Sequence, residues 1–170
     1  CNLIILSDYN KGFLNRKLIK EIVSIAKKYN KIIIADPKKN NLGAYSYIDL
    51  ITPNQKELNE ALNQDVTNIR DMVKHVRKLI NQYNYDYILV TRSEKGMLLI
   101  SGKDYENFPT TAKDVFDVSG AGDTVISFVA LGFGANLSMR DTVKISNLAA
   151  GIVVGKKGTA VVKKQELLEL

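Results

Sequence analysis

The sequence predicts an α/β layer fold of the doubly wound kind, built on parallel strands. Short apolar runs of about four residues alternate with longer stretches of helical periodicity. Polar residues collect directly after the apolar runs, at Asp8, Asp36, Asn54 and Thr91. In doubly wound sheets ligands sit at the carboxyl ends of the strands, so these clusters and the glycines near Gly120 are assigned to one functional edge.

Leu3-Ile4-Ile5-Leu6 is a buried strand that ends in the polar loop Ser7 to Gly12. Asn15 caps a helix whose apolar positions Leu18, Ile19, Ile22, Val23 and Ala26 recur at helical spacing. Ile32-Ile33-Ile34-Ala35 is the next strand, stopped at Asp36-Pro37. Strand, helix and strand make one βαβ unit, which requires a parallel pair. Leu50-Ile51-Thr52 is a third, short strand, and Asn54 opens a helix through Glu57, Leu58 and Ala61. A longer helix spans Thr67 to Tyr83, with Met72, Val73, Val76, Leu79 and Ile80 facing inward. Tyr87 to Val90 is a strand with its turn at residues 91–96, and 97–100 and 105–108 form a hairpin. The last third holds the cluster Ser119-Gly120-Ala121-Gly122, a helix from Asp123 to Gly134 and a second from Ser138 to Val154. A short amphipathic turn at 165–170 ends the chain, and no internal repeat, linker or domain boundary is evident.

Composition excludes several classes of function. The 170 residues suffice for one domain with a hydrophobic core, and no apolar run approaches the roughly 18 residues that cross a bilayer. No signal peptide opens the chain, so a cytoplasmic location and no membrane partner are expected. One cysteine forms no internal disulfide, and a single histidine, His75, argues against zinc. The net charge of +6 comes from lysines scattered along the chain rather than interleaved with aromatics, so no nucleic-acid partner is expected. The chain starts at Cys1 inside a strand-like run, as a piece of a longer protein would.

The run 119–124, Ser-Gly-Ala-Gly-Asp-Thr, carries the strongest chemical signal. Small residues admit a ligand to the backbone, and the helix that follows offers unpaired N–H groups and a positive dipole end to phosphate. Asp123 also reads as a plain helix-start acid, worth roughly 0.3–1 kcal/mol to its helix. No Gly-Lys-Ser/Thr follows, so this is not a P-loop, and Val125 stands where a dinucleotide fingerprint needs a small third residue.

Asp117 to Thr124 resembles the carboxyl-terminal signature of the ribokinase-like (PfkB) carbohydrate kinases. The stretches 6–12, 35–38, 52–57, 90–97 and 149–159 are similar to that family in the same order, and the similarity is strongest to its heptose-7-phosphate kinases. The resemblance implies the carboxyl-terminal portion, over residues 1–170, of a three-layer fold with a mostly parallel sheet. The resemblance implies that the amino-terminal sugar-binding and lid part, and the nucleotidyltransferase module fused to some heptose kinases, lie outside these 170 residues. This piece alone is therefore expected not to phosphorylate sugar.

The resemblance also implies roles. Asp123 is the base for the sugar hydroxyl, and Gly120, Ala121 and Gly122 form an anion hole. Asn54, Gln55, Lys56 and Glu57 act at the ATP phosphates, with Glu57 near Mg²⁺ through water; Asn54 and Glu57 equally fit a capping box. Thr91, Ser93, Glu94 and Gly96 form the nucleotide turn, with Asn147 and Gly158 near adenine and ribose; strand-end turn and helix packing remain the alternatives. Asp8, Lys11 and Lys38 reach a phosphosugar or are solvated surface. The implied reaction is ATP-dependent phosphorylation of the anomeric hydroxyl of D-glycero-β-D-manno-heptose 7-phosphate, serving lipopolysaccharide core synthesis. ATP, Mg²⁺, an activating K⁺ and a homodimer in the complete protein go with it. Another sugar, such as ribose, fructose phosphate or a nucleoside, and a non-catalytic nucleotide-binding module are the competing readings.

Overall fold

The parallel arrangement begins with β1 (Leu3–Ser7) and β2 (Ile32–Asp36), where Leu3 lies opposite Ile32 and Ser7 opposite Asp36. The crossover between them is α1 (Arg16–Lys28), whose N-cap Asn15 accepts the Leu18 amide through its side chain at 3.0 Å. The structure, a computed structural model, describes residues 1–38, 42–112 and 114–168. The described residues fall into two compact units, Cys1–Thr91 with Leu98–Glu106, and Arg92–Met97 with Asn107–Leu170. The sequence shows no boundary because the division runs through two strands, with no Pro- or Gly-rich linker to mark it.

In the first unit, β3 (Leu50–Ile51) pairs in parallel with β2 and with β4 (Tyr87–Thr91). β5 (Met97–Ser101) and β6 (Tyr105–Phe108) complete a six-stranded sheet in the sequential order β1 to β6. The expected turn between them is tight, since the Ser101 amide donates to the Asp104 carbonyl at 2.8 Å. Between β3 and β4 run α2 (Gln55–Leu62) and α3 (Ile69–Tyr83). Asn63 and Asn84 end these helices in the left-handed conformation that asparagine tolerates better than most residues.

The core of this unit follows the two periodicities. Alternate strand residues Ile33, Ala35, Ile51, Ile88 and Val90 join Ile19, Val23 and Ala26 of α1 and Met72, Val76 and Leu79 of α3 in one cluster. The intervening Ile34, Leu50 and Leu89 are also fully buried, so the strands are covered on both faces, as parallel strands require. Each such Ile, Leu or Met side chain contributes roughly 1.5–3 kcal/mol by leaving water. A 3₁₀ turn at Leu42–Tyr45, which no sequence pattern announces, adds Leu42 and Tyr45 to the same cluster.

In the second unit, α4 (Ala121–Gly134) packs against α5 (Met139–Val154), and α6 (Lys164–Leu168) follows. Ser138 caps α5 by accepting the Asp141 amide at 3.1 Å. The two helices approach so closely that a Cβ on Gly132 would stand 2.5 Å from Oγ1 of Thr142. α4 starts two residues earlier than Asp123, because Gly120 takes the cap position with φ 80°. The expected helix over 138–154 and the short turn near 165 are found as α5 and α6, with residues 169 and 170 outside the described residues. His75 lies half-buried on α3, its Nδ1 2.8 Å from the Asp71 carbonyl oxygen.

Candidate active site

Four of the polar clusters expected on one sheet edge belong to the first unit, and the structure brings them to the carboxyl ends of β1 to β4. Asp8 follows β1 and is nearly buried. Its amide donates to the Asp36 carbonyl at 3.1 Å, its Oδ1 accepts the Asn10 amide at 2.7 Å, and its Oδ2 accepts the Tyr45 hydroxyl at 2.5 Å. Burial, then the hydrogen bond to Asp8 and the charges of Asp8 and Asp36, push the Tyr45 phenol well above its ordinary pKa, so it remains a donor. Asp8 is thus anchored within the protein by three contacts. Lys11, from the same loop, is exposed.

Asp36 closes β2 and is 3% exposed. The Lys38 ammonium lies 2.9 Å from its Oδ2 and 3.7 Å from Oε1 of Glu57, so Lys38 bridges two carboxylates. Glu57 stands in the first turn of α2. Its Oε2 accepts the Asn54 amide at 2.8 Å while Oδ1 of Asn54 accepts the Glu57 amide at 2.8 Å. The capping-box reading of this pair is therefore realised, and it leaves Oε1 directed to the Lys38 side. Burial raises the Glu57 pKa; the Asn54 amide and Lys38 act against that rise, and Asp36 adds to it. The Thr91 amide donates to the Pro53 carbonyl at 3.1 Å, and Asn54 and Thr91 form a parallel bridge, so the two motifs sit side by side. Gln55 is spent on the fold, its Nε2 donating to the Val66 carbonyl at 3.2 Å, whereas Lys56 is exposed.

The second unit holds the remaining candidates. Gly120 sits with φ 80°, a left-handed conformation that a side chain would strain, and turns the chain into α4. Ala121, Gly122 and Asp123 are the first three helical residues, where no preceding turn supplies acceptors. The Ala121 amide is partly engaged by the Val118 carbonyl at 3.2 Å. Gly122 faces open space, since a Cβ added to it would meet nothing within 4 Å, and Asp123 is exposed on the helix's first turn. Upstream, the Ser119 amide donates to Oδ1 of Asp117 at 2.8 Å. The Ser119 side chain and amide, with the Gly158 amide, hold the Asp117 carboxyl below its usual range. Gly158 itself has φ 70° and is exposed. No strand among the described residues of 109–120 precedes the glycines, unlike the other four clusters.

In the turn at 91–96, Ser93 and Glu94 are exposed while Gly96 is buried. Asn147 is also buried, with Nδ2 donating to the Pro109 carbonyl at 2.7 Å and its own carbonyl accepting from Thr111 Oγ1 at 3.2 Å. Its helix-packing role is what the described contacts show. Sequence reading missed Tyr45, Arg92 and the tie from Asp117 to Ser119. Arg92 and Asp117 lay inside motifs already singled out, but nothing in the local pattern marks Tyr45.

The chain as a whole has counterparts among known proteins. Residues 5–165 match the family described as pfkB family carbohydrate kinase. The chain is 42% identical over 169 residues to the Bifunctional protein HldE of Shewanella baltica, covering 99% of the chain and 35% of the relative. It is 40% identical over 164 residues to the Bifunctional protein HldE of Helicobacter pylori, covering 96% of the chain and 35% of that protein. The chain therefore spans about a third of the length of these relatives. Among solved structures, the ribokinase of Arabidopsis thaliana complexed with ribose and ATP superposes with a TM-score of 0.87 at 20% identity, over 99% of this chain and 55% of that one. Phosphofructokinase-2 of Escherichia coli in complex with potassium gives 0.87 at 20% identity, over 98% and 55%. That likeness shows the fold, ribokinase-like with a mostly parallel six-stranded sheet. With the family match covering nearly all of its length, the chain belongs to the pfkB family of carbohydrate kinases.

Proposed function

We propose that this chain is the nucleotide-binding and base-bearing part of a sugar kinase that transfers the γ-phosphate of ATP to the anomeric hydroxyl of D-glycero-β-D-manno-heptose 7-phosphate. The observation that carries the reading is the start of α4: an exposed Asp123 beside a left-handed Gly120 and an unobstructed Gly122. The family match supports kinase chemistry, and the relatives named HldE support the heptose over other sugars.

In this mechanism Asp123 accepts the proton of the sugar hydroxyl as its oxygen bonds to the γ-phosphorus and the bond to the ADP oxygen breaks. The proton leaves late in a loose transition state, so placing the carboxylate matters more than its basicity. The amides at Gly122 and Asp123, with the dipole of α4, stabilise charge on the transferred phosphoryl oxygens.

The residues present fit Mg²⁺ held through water. Oε2 of Glu57 is taken by the Asn54 amide, which leaves one carboxylate oxygen, and a single carboxylate with water and phosphate ligands suits this ion. When bound, the ion neutralises phosphate charge. Lys38 bridges Asp36 and Glu57 here, and its ammonium is the cation this reading assigns to the phosphosugar. A monovalent cation and a homodimer belong to the complete protein in the same reading.

The test is phosphate transfer by the full-length protein with heptose 7-phosphate, fructose 6-phosphate, ribose and a nucleoside as acceptors. Turnover of heptose 7-phosphate at least about a hundredfold above the others is expected, a discrimination of about 2.7 kcal/mol. Equal or better turnover of another sugar ends the heptose assignment. ATP binding with no transfer to any acceptor ends the kinase assignment.

A further inference from the structure

The nucleotide turn contains one buried charge that the proposed chemistry does not use. Arg92 follows β4 and is 5% exposed, although arginine is seldom buried without an ionic partner. Among the described residues its guanidinium meets only neutral acceptors: Nη2 donates to the Lys95 carbonyl at 3.0 Å and to Oδ1 of Asn107. Its Nε is buried with no hydrogen-bond partner among them. Burial accordingly draws the guanidinium pKa down from its ordinary value. A buried donor left unmet is costly, and a methionine of similar length would fill the site without that cost. The position is thus a poor choice for stability alone.

What the guanidinium holds is a strained turn. Ser93 has φ 50° and Gly96 φ 76°, two left-handed residues within four, and the first carries a side chain. Backbone bonds close the turn, from the Arg92 amide to the Gly96 carbonyl at 2.8 Å and from the Gly96 amide to the Ser93 carbonyl at 3.0 Å. The guanidinium adds a tie of a different kind, joining the turn's Lys95 carbonyl to the Asn107 side chain on β6. Ser93 and Glu94 of this turn are exposed to solvent.

We propose that Arg92 is a positioning residue for the nucleotide: by spanning Lys95 and Asn107 it keeps the 93–96 turn in the shape that meets ATP, without touching ATP itself. The proposal rests on the reading of that turn as the nucleotide site. Lysine would not substitute, because its side chain is one bond shorter and its nitrogen falls short of the Nη2 position, from which both acceptors are met.

The experiment measures kcat, KM for ATP, KM for sugar and the thermal midpoint of the full-length enzyme and its Arg92→Met, Arg92→Lys, Asn107→Ala and Ser93→Ala/Glu94→Ala variants. Arg92→Met is expected to raise KM for ATP about tenfold while kcat and the sugar KM stay within about twofold. Its midpoint should stay within about 3 °C of the parent or rise, since a stranded charge has been removed. Arg92→Lys should behave like Arg92→Met, Asn107→Ala should move KM for ATP the same way, and combining it with Arg92→Met should add nothing. An unchanged KM for ATP in Arg92→Met, full rescue by lysine, or a joint fall of kcat, both affinities and the midpoint overturns the proposal. Failure of Arg92→Met to fold overturns it too, and Asn107→Ala then reports on the tie separately. If the Ser93→Ala/Glu94→Ala variant keeps its KM for ATP, the nucleotide reading of the turn falls and the Arg92 proposal with it; if only that variant moves, the Arg92 proposal falls alone.

Discussion

Asn54 and Glu57 hold each other through two reciprocal bonds of 2.8 Å, one from each backbone amide to the other's side chain. The same carboxylate that closes the first turn of α2 is the one assigned to the metal. Stability and catalysis therefore separate by substitution. Glu57→Gln keeps an acceptor for the Asn54 amide and should cost no more than about 0.5 kcal/mol of stability, whereas Glu57→Ala should cost about 1 kcal/mol. Both should raise the Mg²⁺ concentration needed for half-maximal activity, read by titrating the metal in the kinase assay and by urea unfolding. A Gln variant with unaltered metal dependence removes Glu57 from the metal.

Glu57 also predicts a pH effect. Its folded pKa is raised above the ordinary 4.5 by burial, so the folded state favours the protonated acid. Stability from this group is fully present below the unfolded pKa and is lost as pH rises through the folded one. Unfolding free energies of the parent and Glu57→Gln should therefore diverge as pH climbs above the ordinary carboxylate range, the parent losing ground. Parallel curves across that window contradict the raised value.

The Tyr45–Asp8 pair is interior, so Tyr45→Phe leaves a buried carboxylate short of one donor. About 1–3 kcal/mol of stability should be lost, measured by chemical denaturation at neutral pH. Asp8→Asn in the Tyr45→Phe background should recover part of that loss by removing the charge. Full stability in Tyr45→Phe alone means the contact contributes nothing.

Two glycines should respond in opposite ways. Gly96→Ala places a Cβ 2.1 Å from the Phe108 carbonyl oxygen on a backbone with φ 76°, and should destabilise the fold by roughly 2 kcal/mol or more. Gly122→Ala meets open space in the first turn of α4, so its thermal midpoint should hold or rise. Its kcat should nevertheless fall about tenfold or more if phosphate approaches that backbone. Unimpaired turnover in Gly122→Ala argues against the anion hole.

Asp123→Asn keeps shape and a helix-compatible side chain while removing the base. A loss of about a hundredfold to ten-thousandfold in kcat is expected, with the ATP affinity retained, in steady-state assays of the full-length enzyme. Retained activity would take Asp123 out of the mechanism.

Local pattern determined most of the architecture. Asn15, Asn54 and Ser138 cap the helices because a short polar side chain three or fewer residues from an unpaired amide satisfies it without help from the rest of the chain, whereas the helix expected from Thr67 begins at Ile69 behind the cap Asn68. The apolar fours of β1, β2 and β4 are readable because strands covered by helices carry few polar residues to interrupt the run. The start of α4 shifted by two residues because glycine and alanine carry no side chain that signals where the helix begins.

Only the tertiary structure decided which polar groups meet. Asp8 finds Tyr45 across 37 positions, Lys38 reaches from the end of β2 to the first turn of α2, and Arg92 finds Asn107 across a hairpin. The division of the chain inside β5 and β6 is likewise set by packing. Sequence spacing encodes contacts within a turn or a strand; contacts between elements depend on how the sheet and its helices are assembled, and it is there that the polar side chains of this protein acquire their partners.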